Sequence, residues 1–305
     1  MRRITSIAAL GAAAALTLTA CGGTSSSDSS ADAQSTTAAT TTEGYDTSGI
    51  QKVDDIASMV PESVASTGKL TIGTNIYYAP AEFYDTDGKT PLGYDIDLMR
   101  ALAAVMGLKA DIQQADFSAI MPGIPGKYTL GIANISVTTD REANFAMIPY
   151  FATGSSWAVS SGNPENFDPD DLCGASIGVQ TGTVQDDELK AMDFSSCDEA
   201  PDIQRYAEQS AVTTAVAGGK LEAMYADSSV ADYAVKQTSG QLETVGEPTG
   251  VVPIGIVVAK DDTAMQDVTV KALQYLMDEG YLKDIFAAWG ITDNVLTTAE
   301  INPVK

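Results

Sequence analysis

The chain has 305 residues, 44% of them apolar, with 17 Lys+Arg against 41 Asp+Glu, a net charge of −24 and no histidine. That length and apolar content can fill the cores of two lobes. The missing histidine excludes Ser-His-Asp and Cys-His nucleophile pairs and every histidine-liganded zinc site. The acidic balance excludes nucleic acid as a partner, because binding phosphates requires clustered Lys and Arg.

Met1-Arg2-Arg3 precedes an apolar run from Ile7 to Leu18, and Leu18-Thr19-Ala20-Cys21 follows. A basic start, a short apolar stretch and small residues before a cleavage point predict a signal peptide over residues 1–20. The run is too short for a membrane span of about 20 apolar residues. Its last four residues resemble the bacterial lipobox, in which the cysteine becomes the mature N-terminus and carries lipid, with palmitate among the acyl chains. Cys21 is then a lipid anchor to the outer face of the cytoplasmic membrane. Gly22 to Gly49 is almost entirely Gly, Ser, Thr and Ala, and residues 21–60 are predicted to be a disordered tether.

The remaining cysteines, Cys173 and Cys197, form an even pair in an exported chain, which favours a disulfide over free thiols or a metal pair. From Lys69 onward, β-like runs alternate with helical patterns. Leu70–Gly73 reads as a strand. Tyr94–Met106 reads as a helix with Leu98, Ala101, Leu102 and Val105 on one face, stopping at Gly107. Leu108–Ile112 and Leu130–Ser136 read as further short strands. A second series follows: strands at Ala175–Gln180, Ile203–Tyr206 and Glu222–Ala226, with helices at Val184–Phe194, Ala211–Ala217 and Ser229–Thr238. A strand at Ile254–Ala259 and two helices running to Trp289 close the body. Such alternation predicts an α/β architecture with mainly parallel sheets. The Gly/Ser/Pro-marked stretch Gly154–Pro164 between the two series suggests two lobes with a ligand cleft between them. Asp85-Thr86-Asp87-Gly88 lacks the further ligands of a calcium loop and reads as a hairpin turn.

Several segments, in this order, carry a resemblance. They are Ile72–Phe83 (IGTNIYYAPAEF), Pro91–Leu98 (PLGYDIDL), Asp116-Phe117, Ser136–Arg141 (SVTTDR), Gly178–Thr183 (GVQTGT) and Met224–Asp227 (MYAD). Together they resemble the family 3 extracellular solute-binding proteins, the amino-acid receptors of bacterial ABC importers, over Lys69 to Trp289. The resemblance implies a two-lobed, periplasmic-binding-protein-like (type II) fold with two hinge strands. Lobe 1 would be 61–152 plus 253–305 and lobe 2 would be 153–252, with crossings near Ala152 and Pro253. It further implies a monomer that binds a small amino acid and delivers it to permease and ATPase subunits, with no cofactor, no metal and no catalysis.

An α-amino acid presents a carboxylate, an ammonium and a side chain. Arg141, at the end of the Ser136 segment, offers a planar fork for the carboxylate, and its alternative is a surface ion pair with Asp140 or Glu142. Ser136 adds a hydroxyl or N–H, and Thr183 a backbone N–H near a helix N-terminus. Asp227 is assigned to the ammonium, its alternative being an N-cap on the next helix, a role that does not exclude the first; the Asn134 carbonyl is the second acceptor by the resemblance. Tyr78 and Phe117 are expected as aromatic walls. Some cation-preferring relatives carry aspartate where this chain has Asn75, which points to a neutral polar ligand. Two other readings remain open: a dehydratase-like enzyme on the same scaffold, with Glu82 as the one further cleft acid, and a sensor subunit that presents ligand.

Overall fold

The structure is a computed structural model that describes residues 44–304. The predicted signal peptide, Cys21 and the tether up to residue 43 lie outside the described residues. The expected tether extends to residue 60, but the structure packs 44–60 against the body. Ile50, Ile56 and Val60 are buried, the Tyr45 amide donates to Asp97 Oδ2 at 2.9 Å, and Val53 N–H donates to the Val105 carbonyl at 3.0 Å. Apolar residues three or four apart (Ile50, Val53, Ile56, Val60) supply the buried face that the Ser/Thr-rich stretch before them lacks.

A 3-10 turn (Thr47–Gly49) comes first, then two single-turn helices, α1 (Asp54–Ala57) and α2 (Glu62–Ala65), followed by strand β1 (Lys69–Thr74). A small antiparallel sheet of β2 (Tyr77–Tyr78), β3 (Glu82–Tyr84) and β4 (Pro91–Leu92) precedes α3 (Tyr94–Val105) and β5 (Lys109–Gln114). After α4 (Phe117–Ile120), β6 (Leu130–Gly131) and α5 (Thr139–Asn144) comes the long strand β7 (Phe145–Ser160). The second half holds β8 (Ser176–Gln180), α6 (Val184–Ala191), β9 (Asp202–Tyr206), α7 (Gln209–Ala217), β10 (Ala223–Asp227) and α8 (Ser228–Gln237). A second long strand, β11 (Leu242–Ala259), leads back to α9 (Thr263–Asp278) and α10 (Tyr281–Ala288). The Asp85–Gly88 segment joins the antiparallel pair β3 and β4, with Asp87 accepting from Lys89 and Thr90 N–H.

The strands run in the order β5-β1-β6-β11-β7-β10-β8-β9. β1 is parallel to β5 and β6, and β8 is parallel to β9 and β10. Between these two parallel groups, β7 and β11 run antiparallel, and both continue from one group into the other. Ala152 and Pro253 face each other in that ladder. Each parallel group with its helices makes a lobe, and the two long strands join them.

Gly154–Ser160 is therefore part of a continuous strand and not an irregular break. Nearly every residue of β7 is buried, so the alternation that marks a half-exposed strand is missing. Gly154 is needed because a Cβ there would lie 2.7 Å from the Thr249 carbonyl of β11. The predicted run Leu130–Ser136 is not one strand: Leu130–Gly131 pairs in the sheet as β6, Asn134 turns the backbone to φ 46, and Ser136 then makes an isolated antiparallel bridge to Ile254 of β11. Gly93 opens α3 at φ 131, where a Cβ would sit 2.0 Å from the Ala81 carbonyl.

The first lobe is filled by Leu70, Ile72, Leu98, Leu102, Ile256, Leu273 and Phe286. The second lobe has a core on each face of its sheet. Trp157, Val159, Ile177, Val179 and Tyr225 pack on one side, and Ala158, Val212, Val216, Met224 and Leu242 on the other, the period-two alternation of a strand buried on both faces.

Cys173 and Cys197 form a disulfide across 24 residues, tying the approach to β8 to the segment after α6. In the chain-entropy account, closing such a loop stabilises by roughly 3 kcal/mol. Replacing both cysteines by serine should lower the unfolding free energy by about that amount in urea titration. An unshifted midpoint would mean that the bridge does not constrain the unfolded chain.

Candidate functional site

The Ser136–Arg141 segment folds as its composition dictates. The Thr138 side chain caps α5 by accepting from Arg141 N–H at 3.3 Å. That cap turns the Arg141 side chain back over its own approach. One guanidinium nitrogen donates to the Ser136 carbonyl at 2.8 Å and the other to the Gly182 carbonyl, in the second lobe, at 3.1 Å. The guanidinium also lies 5.9 Å from the Phe117 ring centroid. None of the ion pairs among the described residues involves Arg141. Burial lowers its pKa, with nearby Asp187 and Asp227 opposing the shift.

Asp227 ends β10 and its side chain makes no capping bond to α8. It turns into the interior instead, only 3% exposed. Its Oδ2 accepts from Tyr78 Oη at 2.7 Å and Asn134 Nδ2 at 2.8 Å, and its Oδ1 accepts from Gln185 Nε2 at 2.9 Å. Burial raises its pKa, against the lowering effect of the hydrogen bonds from Tyr78, Gln185 and Asn134 and of the Arg141 charge. Behind it, Tyr94 Oη donates to Asn134 Oδ1 at 3.0 Å, and Asn134 N–H donates to Asp95 Oδ2 at 2.7 Å.

Thr183 caps α6, accepting from Asp186 N–H. Asp186 in turn accepts from Gly182 N–H at 2.9 Å and from Lys190 and Arg205 at 2.7 Å each, which fixes the Gly182 turn. Burial pushes the Asp186 pKa up, but these donors outweigh it and hold the carboxyl below its usual value.

The structure brings seven of the eight expected ligand residues together around one narrow, tightly closed cavity: Tyr78, Phe117, Asn134, Ser136, Arg141, Thr183 and Asp227. Asn75 is not among its lining residues. Its Nδ2 donates to the Ala115 carbonyl at 2.8 Å and its Oδ1 accepts from Gln180 Nε2 at 3.0 Å. Asn134 also departs from expectation, since it is its side-chain amide that reaches into the site, donating to Asp227. Val184 and Gln185 complete the lining and were missed by sequence reasoning. The one available signal was a buried-type glutamine in the first turn of a helix that follows Gly-Thr. Glu82 lies outside the lining, fully buried with both carboxyl oxygens unpartnered. A larger groove of about 390 Å³ runs past Tyr77, Phe83, Tyr84 and Tyr233. No charged side chain lines it, so it cannot neutralise a zwitterion.

The pattern of the bacterial extracellular solute-binding proteins, family 3, matches residues 70–292. This chain belongs to that family. The arginine-binding protein ArgT of Corynebacterium glutamicum is 32% identical over 265 residues, covering 85% of this chain and 86% of that one. An ancestral arginine-binding protein solved with arginine is 29% identical with a TM-score of 0.67, covering 73% of this chain and 98% of that one. The same description, bound to glutamine, gives 29% identity and a TM-score of 0.67 over 73% of this chain and 97% of that one.

The buried carboxyls give this solute-binding protein a specific pH dependence. Burial raises Asp227, Glu82 and Asp95, the last to about 6 from 3.8. A carboxyl whose folded pKa exceeds its unfolded value holds more protons in the folded state between the two. Its penalty is absent below the unfolded pKa and complete above the folded one, so for Asp95 stability falls as pH rises from 3.8 to about 6. The ligand-free protein should melt higher at pH 5 than at pH 7.5, and a higher melting point at pH 7.5 would contradict this.

Proposed function

We propose that this protein is the extracytoplasmic receptor of an ABC importer, capturing an amino acid between lobes 61–152 with 253–305 and 153–252 and delivering it to the permease and ATPase subunits. The observation that carries this reading is that Arg141 and Asp227, of opposite charge, line one closed cavity without forming an ion pair with each other. A zwitterion supplies the partner each lacks. In this reading the Arg141 fork, with Ser136 and Thr183, takes the carboxylate. Asp227 and Asn134 take the ammonium, and Tyr78 and Phe117 flank the side chain. Lobe closure then excludes water and strengthens these contacts.

Arginine is the leading substrate. Both the Corynebacterium relative and the ancestral structure are described as arginine-binding. A second reading, a small neutral polar amino acid, is favoured by the lining itself: among the described residues Asp227 is its one carboxylate, and with the ammonium on Asp227 none is left for a cationic side chain. The ancestral protein solved with glutamine fits that alternative. Melting shifts of ligand-stripped protein across the common amino acids separate the two. A ligand at 100 times its dissociation constant adds roughly 2.7 kcal/mol, and silence across the panel in folded protein would end the amino-acid reading.

No catalysis is needed in this account. A dehydratase-like activity would require a second acid or base in the cleft, and Glu82 is not a lining residue. An ancestral amino-acid-binding precursor of cyclohexadienyl dehydratase, at 24% identity and TM-score 0.68, shares the fold alone. Any turnover of a bound ligand would revive the enzyme reading. The receptor is taken to be a monomer held at the outer face of the cytoplasmic membrane by lipid on Cys21. No helix among the described residues is long and apolar enough to cross a membrane. A lipid-linked N-terminal peptide in mass spectra of the membrane fraction tests the anchor.

A further inference from the structure

We infer that Asn75 and Gln180 form a bridge between the lobes that holds the closed state without touching ligand, and so sets how long a bound solute stays. Asn75 follows β1 in the first lobe, and Gln180 is the last residue of β8 in the second. They are 0% and 1% exposed, and neither lines the ligand cavity. Gln180 Nε2 donates to Asn75 Oδ1 at 3.0 Å and to the Ala207 carbonyl at 3.0 Å. Asn75 Nδ2 donates to the Ala115 carbonyl at 2.8 Å.

The partners fix which way each amide points. A reversed Gln180 would set its oxygen against two other oxygens, and a reversed Asn75 would set its own against the Ala115 carbonyl. The arrangement makes the bridge conditional on closure. Asn75 is anchored within its own lobe by Ala115, and Gln180 within its own by Ala207, whose N-terminal neighbour Tyr206 ends β9. Only the bond between the two side chains crosses the cleft. When the lobes part, both amides return to water, so the bridge adds nothing to the open form. In the closed form it is a buried bond between neutral groups, made by the Gln180 amide nitrogen while its Oε1 has no partner among the described residues. Its contribution does not depend on which solute occupies the cavity, because no atom of the pair faces that solute.

The other cross-lobe contacts at the site behave differently. Tyr78 and Asn134 reach Asp227, and Arg141 reaches the Gly182 carbonyl. All three involve groups assigned to the ligand, so ligand entry must compete with them or rearrange them. The Asn75–Gln180 bond remains available throughout, which makes the two residues positioning residues for closure.

The inference goes beyond the proposed substrate and rests on closure alone. The test uses Asn75→Ala, Gln180→Ala and the double variant, with Gln180→Met keeping the volume but removing the donor in case an alanine variant fails to fold. In stopped-flow binding of L-arginine, each single variant should release ligand about tenfold faster, the range of one buried hydrogen bond, with association unchanged. The double variant should add nothing beyond the larger single effect. In small-angle scattering, the ligand-free variants should show a larger radius of gyration than the wild type. Multiplying effects in the double variant, or slowed association with unchanged release, would overturn the bridge. So would an unchanged ligand-free radius in both Asn75→Ala and Gln180→Met. If the wild type binds no amino acid at all, the proposed function fails by itself and the scattering comparison still decides the bridge.

Discussion

Replacing Arg141 with alanine is expected to abolish amino-acid binding while leaving the protein folded. Among the described residues the guanidinium is the only cation that lines the cavity, and losing one partner of a desolvated charge pair costs about 2–5 kcal/mol, about thirtyfold or more in affinity. Its ligand-free contacts are two main-chain carbonyls and the ring of Phe117, which sits at the edge of a small core with Ile120 and Ile135; the alanine removes no apolar side chain from that core, so the melting point of the stripped protein should change little. Arg141→Lys keeps the charge but loses the fork, and should fall between wild type and alanine. Calorimetric titration with arginine beside circular dichroism reads both quantities. Near-wild-type affinity in folded Arg141→Ala would remove the carboxylate assignment.

Asp227→Asn is expected to separate binding from stability. The carboxylate is buried and its pKa raised chiefly by that burial, so it is costly to keep ionised without a cationic partner. Asparagine removes that cost and can still accept from Tyr78 and Asn134, while Gln185 can turn its amide to suit. The ligand-free variant should therefore melt no lower than the wild type at pH 7.5. Its amino-acid affinity should fall by about 3 kcal/mol or more, because the ammonium loses the one carboxylate that, among the described residues, lines the cavity. Consistent with this, wild-type affinity should weaken as pH drops through the Asp227 pKa, the direction opposite to stripped-protein stability. A variant that both binds normally and melts lower would assign Asp227 to structure instead.

Local pattern revealed the short regular elements of this fold best. The α3 helix, with Leu98, Leu102 and Val105 on one face and Gly107 just beyond its end, and the strands around Ile72 and Val179 were legible because short apolar runs are bounded there by turn residues, although nearly all of α3 is buried. The long strand β7 was not, because burial on both faces erases alternation and Gly154 reads as a breaker when it is a point of close approach to β11. The first half of β11 was missed for the opposite reason. Thr244 to Val251 is mostly exposed and carries Gly and Pro, so its pairing with β7 is set by the partner strand. Residues 44–60 were absorbed into the tether by composition, though Ile56 is 1% exposed.

At the site, Arg141 and Asp227 were legible because a fork and an ending-strand carboxylate are chemically specific. Gln185 was not, since its role depends on α6 carrying it beside Asp227 from 42 residues away in sequence. Asn75 shows the limit most clearly. Its identity suggested ligand selectivity, but its two hydrogen bonds commit it to Ala115 and Gln180.

The central claim is that one cavity recognises an α-carboxylate and an α-ammonium through Arg141 and Asp227. Its most direct test is calorimetric titration of the ligand-stripped protein with arginine and with agmatine, which lacks only the carboxylate. The account predicts saturable one-to-one binding of arginine and a loss of a hundredfold or more, about 2.7 kcal/mol, for agmatine. Equal affinity for the two would contradict it.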